Sequence, residues 1–103
     1  MLSGEMEVTI FSKHTCHLCH VALRIARHVQ ADIPFTLRSV DITDDAELLA
    51  LYGHRIPVIL IDRQERLAGK ITERELRAAL EKTRWRKSIS RILSRFGFNP
   101  NRG

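Results

Sequence analysis

The sequence predicts one α/β domain whose elements follow in the order β-α-β-α-β-β-α, forming a mixed four-stranded sheet with helices packed on it. Two observations support this prediction. Segments with a 3.6-residue apolar period alternate with short runs rich in β-branched and aromatic residues. Two further strand-like runs are separated only by a polar turn at residues 62–65, which predicts an antiparallel hairpin.

The first half of the chain predicts a parallel pair of strands. Residues 6–12 form the first strand, and an amphipathic helix follows from Cys16 to about Asp32. Residues 35–42 alternate between two faces and form the second strand. Because a helix joins the two strands, we expect a right-handed crossover between them.

The second half predicts two helices around the hairpin. Cap residues and acids at 43–47 begin the second helix, and Gly53 is expected to end it in a left-handed conformation. Residues 55–61 are apolar on both faces, which is typical of a central strand, and residues 66–68 form its antiparallel partner. The pattern at residues 72–75 is a capping box that opens the third helix.

The positive charge of the chain is concentrated at its carboxyl end. The net charge is +5, yet residues 82–103 contain seven lysines and arginines and no acid, whereas ten basic and twelve acidic residues precede them. Large apolar residues recur at helical spacing between Trp85 and Phe96, with basic residues at other positions. We therefore divide the chain into a domain at residues 1–82 and a basic amphipathic helical tail at residues 83–103, and we expect the last six residues of the tail to be disordered.

Three roles for this tail remain open at the level of sequence. Its apolar stripe can cover part of the domain, lie on an anionic membrane surface, or bind a partner protein through residues 84–96. Binding to nucleic acid is the least favoured role, because no base-reading motif is present.

The two cysteines of the chain, Cys16 and Cys19, are three residues apart at the predicted start of a helix. Residues at this spacing share one helix face, near the separation that a disulfide needs. Unpaired amides and the helix dipole favour a thiolate at such a position. Lys13 adds positive charge, as do three nearby histidines when they are protonated, and no sequence neighbour is acidic. We predict Cys16 as an exposed nucleophile with a lowered pKa and Cys19 as a more buried resolving thiol.

Composition restricts the setting in which these thiols work. No apolar run approaches the length of a membrane span, and the first residues have no secretory-signal pattern. Two closely spaced cysteines are too few for a disulfide framework and indicate redox or metal chemistry. We expect a cytoplasmic protein.

Three segments together resemble glutaredoxins, and most closely the small bacterial glutaredoxin-like family. They are the strand that ends at Ser12-Lys13, the motif Cys16-His17-Leu18-Cys19, and Ile56-Pro57-Val58 before a hairpin. The resemblance covers about residues 6–82. It implies a thioredoxin-like fold, a cis Pro57 beside a redox-active Cys16–Cys19 pair, and contacts with substrate or glutathione from Lys13, His17, Ile56, Pro57 and Gly69.

This resemblance implies a thiol–disulfide oxidoreductase that reduces disulfides in proteins or mixed disulfides with glutathione. We expect no tightly bound cofactor and no metal, with glutathione or a dedicated reductase as the external reductant. Two alternatives remain open. The domain can be a non-catalytic binding module whose basic tail recruits a membrane or a partner, or the cysteine pair can hold a metal or an iron–sulfur cluster. Cys16 to His20 also matches the haem-attachment pattern, but the few methionines and the absent export signal disfavour it.

Overall fold

The computed structural model describes residues 5–97. Within this range the elements are β1 (Met6–Ser12), α1 (His17–Gln30), β2 (Phe35–Asp41), α2 (Ala46–Tyr52), β3 (Val58–Ile61), β4 (Gln64–Ala68) and α3 (Glu73–Ser94). The observed order confirms the predicted β-α-β-α-β-β-α arrangement.

The four strands form one mixed sheet in the order β2-β1-β3-β4. β1 runs parallel to β2 and antiparallel to β3, and β3 and β4 form the antiparallel hairpin. β3 is therefore a central strand, as its apolar sequence on both faces predicts.

The main core lies on one face of the sheet, under α1 and α3. Alternate residues of β1 point into it, as the two-residue period of a strand requires. Both helices contribute apolar side chains at helical spacing, and these side chains are fully buried: Ala22, Ala26 and Val29 from α1, and Leu76 and Leu80 from α3. On the other face, Phe11 stacks on Tyr52 of α2 with ring centroids 4.8 Å apart, which places α2 opposite the main core.

The hairpin turn is shorter than the predicted segment 62–65. Asp62 and Arg63 form the whole turn, both with positive φ (51° and 71°), and β4 begins at Gln64. A two-residue turn with left-handed backbone matches the twist of the adjoining strands. The Asp62 carboxylate accepts a hydrogen bond from the backbone N–H of Glu7 at 3.0 Å and pairs with the Lys87 ammonium at 2.8 Å. The turn is thus tied to both β1 and α3.

The third helix is longer than predicted, because α3 continues without a break to Ser94. Its capping box is confirmed: Thr72 accepts from the Glu75 N–H at 3.1 Å, and the Glu75 carboxylate accepts from the Thr72 N–H at 2.9 Å. The tail is helical to Ser94, but the expected boundary between residues 82 and 83 falls inside α3. The disorder expected for residues 98–103 lies outside the described part of the chain.

The predicted left-handed cap at Gly53 is wrong. Gly53 closes α2 with a right-handed φ of −54°, and its N–H donates to the Leu49 carbonyl at 2.8 Å. A Cβ atom at this position would lie 2.5 Å from that carbonyl oxygen. The position therefore favours glycine because a side chain would not fit there, and not because the backbone needs a positive φ.

Candidate functional site

The strand register brings several loops to one edge of the sheet. Ser12 at the end of β1 is opposite Asp41 at the end of β2, and Phe11 is opposite Val58 at the start of β3. The loop into α1, the loop after β2 and the segment before β3 consequently meet at this edge. The cysteine pair lies where β1 passes into α1, at the same edge.

The two sulfur atoms of Cys16 and Cys19 are close enough to form a disulfide bond. Cys16 is the N-cap of α1, and its Cα lies 5.2 Å from that of Cys19. The Cys16 sulfur accepts a hydrogen bond from the Cys19 N–H at 3.2 Å, and the Cys16 N–H donates to the Lys13 carbonyl at 3.0 Å. Cys16 is half-buried, whereas Cys19 is 2% exposed.

The surroundings of Cys16 favour negative charge on its sulfur. The positive end of the α1 dipole points at the N-cap, and the first turn of α1 contains no acidic residue. Lys13 is half-buried in the preceding loop, while His17 and His20 are exposed in the first turn. A thiolate at Cys16 would thus meet both a hydrogen-bond donor and a positive potential.

The carboxylate of Asp41, which is distant from Cys16 in sequence, lies beside the loop that precedes α1. His14 Nδ1 is 2.9 Å from the Asp41 carboxylate, and Asp41 also accepts hydrogen bonds from Thr43. The hydrogen bond from His14, followed by those from Thr43, holds the pKa of Asp41 well below its usual range. A protonated His14 is therefore paired with a carboxylate, which offsets the positive potential it would otherwise bring to Cys16.

The segment before β3, which is predicted to bind substrate, contains a cis peptide bond and accepts hydrogen bonds from Gly69. The Ile56–Pro57 peptide bond is cis, and Pro57 is fully buried. The Gly69 N–H donates to the Pro57 carbonyl at 2.8 Å and to the Arg55 carbonyl at 3.1 Å. Gly69 adopts a left-handed φ of 76°, a conformation that favours glycine.

The Arg55 side chain connects this segment to the neighbouring elements α2 and β4. Its guanidinium pairs with the Glu65 carboxylate, donates to the Leu51 carbonyl at 3.2 Å, and lies 5.4 Å from the centroid of the Tyr52 ring. The hydrogen bond to Glu65 raises the pKa of Arg55. The residue before Ile56 is thereby tied to both α2 and β4.

The residues predicted to bind substrate thus come from the loops that meet at one sheet edge and from the first turn of α1. Lys13 and His17 flank Cys16 in sequence, and Ile56, Pro57 and Gly69 belong to the two segments at the ends of the hairpin. Their roles in binding remain predictions. Across residues 5–97, no three His, Cys, Asp or Glu side chains come together as a metal-binding group.

The family model of the glutaredoxin-like domain (DUF836) matches residues 7–81, which contain the cysteine pair, the Ile56–Pro57 segment and all of the sheet except Met6. This chain belongs to that glutaredoxin-like family. The resemblance drawn from the cysteine motif and the proline segment is confirmed by this match. No curated protein matches the chain significantly.

Solved structures confirm the thioredoxin-like fold of this glutaredoxin-like chain. A structural genomics target protein from X. campestris is 32% identical, with a TM-score of 0.64 over 73% of this chain and 96% of the other. A protein from Nitrosomonas europaea is 21% identical, with a TM-score of 0.65 over 77% and 95% of the two chains. A mutant thioredoxin from Halobacterium salinarum is 17% identical, with a TM-score of 0.61 over 77% and 74%.

Proposed function

We propose that this glutaredoxin-like protein is a thiol–disulfide oxidoreductase that reduces disulfides in proteins or mixed disulfides with glutathione. The observation that carries the proposal is the Cys16–Cys19 pair, held at disulfide distance at the start of α1. Such a pair can open and close without a change in the rest of the fold.

The burial of the two thiols supports different roles. Cys16 is half-buried and caps the helix, so an incoming disulfide can approach its sulfur and the helix end favours its thiolate. Cys19 is almost fully buried, so it reacts with Cys16 rather than with a second large substrate. We assign Cys16 as the nucleophile and Cys19 as the resolving thiol.

The proposed reaction has two exchange steps. The Cys16 thiolate attacks one sulfur of the substrate disulfide, a Cys16–substrate mixed disulfide forms, and the other substrate sulfur leaves as a thiolate. Cys19 then loses its proton and attacks the Cys16 sulfur, which releases the second substrate thiolate and leaves the Cys16–Cys19 disulfide. The substrate gains two electrons, and the cysteine pair loses them.

Glutathione or a dedicated reductase would return the pair to the dithiol. We propose that the backbone at Ile56 and Pro57 contacts the bound chain, with Gly69 beside Pro57 and Lys13 available for a carboxylate of glutathione. His17 lies beside Cys16 and would contact the leaving group. A reducing compartment such as the cytoplasm would supply the external thiol.

The test is the reduction potential of the pair, measured by equilibration in glutathione redox buffers with mass detection. We expect a reversible two-electron couple near the glutaredoxin range of roughly −200 to −230 mV. Cys19→Ser should accumulate a mixed disulfide with a substrate peptide or with glutathione, because the first step still occurs and the second is lost. Cys16→Ser is the matched control and should accumulate none.

Two results would contradict the proposal. One is the absence of any reversible disulfide between the two cysteines. The other is equal trapping by Cys16→Ser and Cys19→Ser, which would contradict the assigned roles. A protein that acts only as a binding module would keep its biological effect after Cys16→Ser, whereas a catalyst would lose it.

A further inference from the structure

The second half of α3 has an apolar side that does not face the domain. We call residues 83–97 the α3 extension. At 3.6 residues per turn, Leu76, Leu80 and Thr83 share the buried face of α3. Trp85 is two residues beyond Thr83, which on a helix is a rotation of about 200°. The apolar stripe that begins at Trp85 therefore lies opposite the side that packs on the sheet.

Exposure agrees with this geometry. The exposed fraction is 64% for Trp85, 50% for Ile92 and 80% for Phe96, the last of these just beyond the helix end. Ile89 lies between them on the same side and is half-buried. The stripe consequently presents a run of large apolar side chains to solvent over about 17 Å, from Trp85 to just beyond the end of α3.

The side of the extension that faces the domain is polar instead. Lys87 pairs with Asp62 of the hairpin turn, and the Thr83 hydroxyl donates to the Ala79 carbonyl at 2.9 Å. A groove of about 420 Å³ separates the extension from the hairpin. Polar and basic residues line it, among them Arg66, Ser90, and Arg86 and Arg91 at the two borders of the extension. Turning the helix to bury its apolar stripe would break the Lys87–Asp62 pair and bring the stripe against this polar groove.

Basic residues lie on both flanks of the stripe. Arg84, Arg91 and Arg95 are rotated by about 80–120° to one side of Trp85, and Arg86 by about 100° to the other side. The extension contains no acidic residue. Arginines in such positions can extend to phosphate groups while the apolar residues between them enter the acyl-chain boundary.

We propose that the α3 extension binds an anionic lipid surface, with Trp85, Ile92 and Phe96 inserted and the flanking arginines at the level of the headgroups. The convex helix offers a ridge rather than a pocket, which suits a fluid bilayer, and its charge complements acidic lipids. A second copy of the chain is a poor partner, because two such faces would bring like charges together. The proposal is independent of the redox chemistry.

The chain contains a single tryptophan, so the fluorescence of Trp85 reports directly on the stripe. We would titrate the full chain with vesicles of phosphatidylcholine and with vesicles that also contain about one-third phosphatidylglycerol. Binding to the anionic vesicles alone, with a blue shift of the Trp85 emission and loss of binding at high salt, is the expected result.

Three variants separate the contribution of the charge to binding from that of the apolar stripe. Arg91→Gln with Arg95→Gln should weaken partitioning by about 25-fold, since each basic residue near an anionic surface contributes about fivefold. Arg24→Gln with Arg27→Gln removes the same charge from the exposed side of α1 and should change binding little. Ile92→Ser should weaken partitioning by about tenfold and reduce the blue shift, because one apolar contact is lost.

Several results would overturn the proposal. The first is no binding to anionic vesicles, which would leave an acidic protein as the better partner for the extension. The second is salt-sensitive binding without a blue shift and without an effect of Ile92→Ser, which would mean adsorption by charge alone. The third is a dimer with blue-shifted Trp85 in the absence of vesicles, disrupted by Phe96→Ser, which would make a second copy the occupant.

Discussion

The first half of α3 and the α3 extension should respond very differently to the loss of one large apolar side chain. Leu80 is fully buried between α3 and the sheet, so Leu80→Ala removes core contacts and leaves a cavity. We expect this change to lower the free energy of unfolding by about 3 kcal/mol. Phe96 is 80% exposed, so folding buries only about a fifth of its side chain. Phe96→Ala should therefore cost about 0.5 kcal/mol.

Urea unfolding followed by circular dichroism compares the two variants with the parent chain under one buffer condition. In thermal unfolding, Leu80→Ala should lower Tm by about 12–24 °C, and Phe96→Ala by only a few degrees. A cost above about 1.5 kcal/mol for Phe96→Ala would refute the reasoning. That result would mean that the extension packs on the domain in solution.

Two smaller predictions concern polar contacts. The pKa of Asp41 is lowered in the folded state, so its contribution to stability is complete above its unfolded pKa and is lost as the pH falls below that value. The stability difference between the parent chain and Asp41→Asn should accordingly shrink as urea unfolding is repeated from neutral to acidic pH, and a constant difference would contradict this. Thr72→Ala should lower the free energy of unfolding by about 1 kcal/mol through loss of the N-cap, whereas Thr72→Ser should keep most of it.

Local patterns were sufficient to predict most of the fold. β1 is bounded by the same residues in the prediction and the structure, because its β-branched run ends abruptly at polar residues. The capping box at Thr72 and Glu75 is a local signal within one helical turn and was equally clear. The position of the cysteine pair at the start of α1 follows in the same way from the change of apolar period at Cys16.

Two features are missing from the prediction: the continuity of α3, which the change in charge obscures, and a contact between residues that are distant in sequence. The change from mixed charge to basic residues at residue 82 suggested a boundary, but nothing between Thr72 and Gly97 breaks a helix, so α3 continues. The pairing of His14 with Asp41 joins residues that are distant in sequence. It would have been found by following the parallel register of β1 and β2 to their carboxyl ends, where Ser12 is opposite Asp41.

Because α3 is continuous, it fixes the distance between the sheet edge with the cysteine pair and the α3 extension. The helix begins beside Gly69 at the edge that holds the cysteine pair and reaches Lys87 at the opposite end of the sheet, about 21 Å farther along its axis. No flexible linker separates Cys16 from the extension within residues 5–97. Whatever surface holds the extension therefore also fixes the position of Cys16. Under the proposed function, substrates would then be selected by where their disulfide lies on that surface as well as by its chemistry.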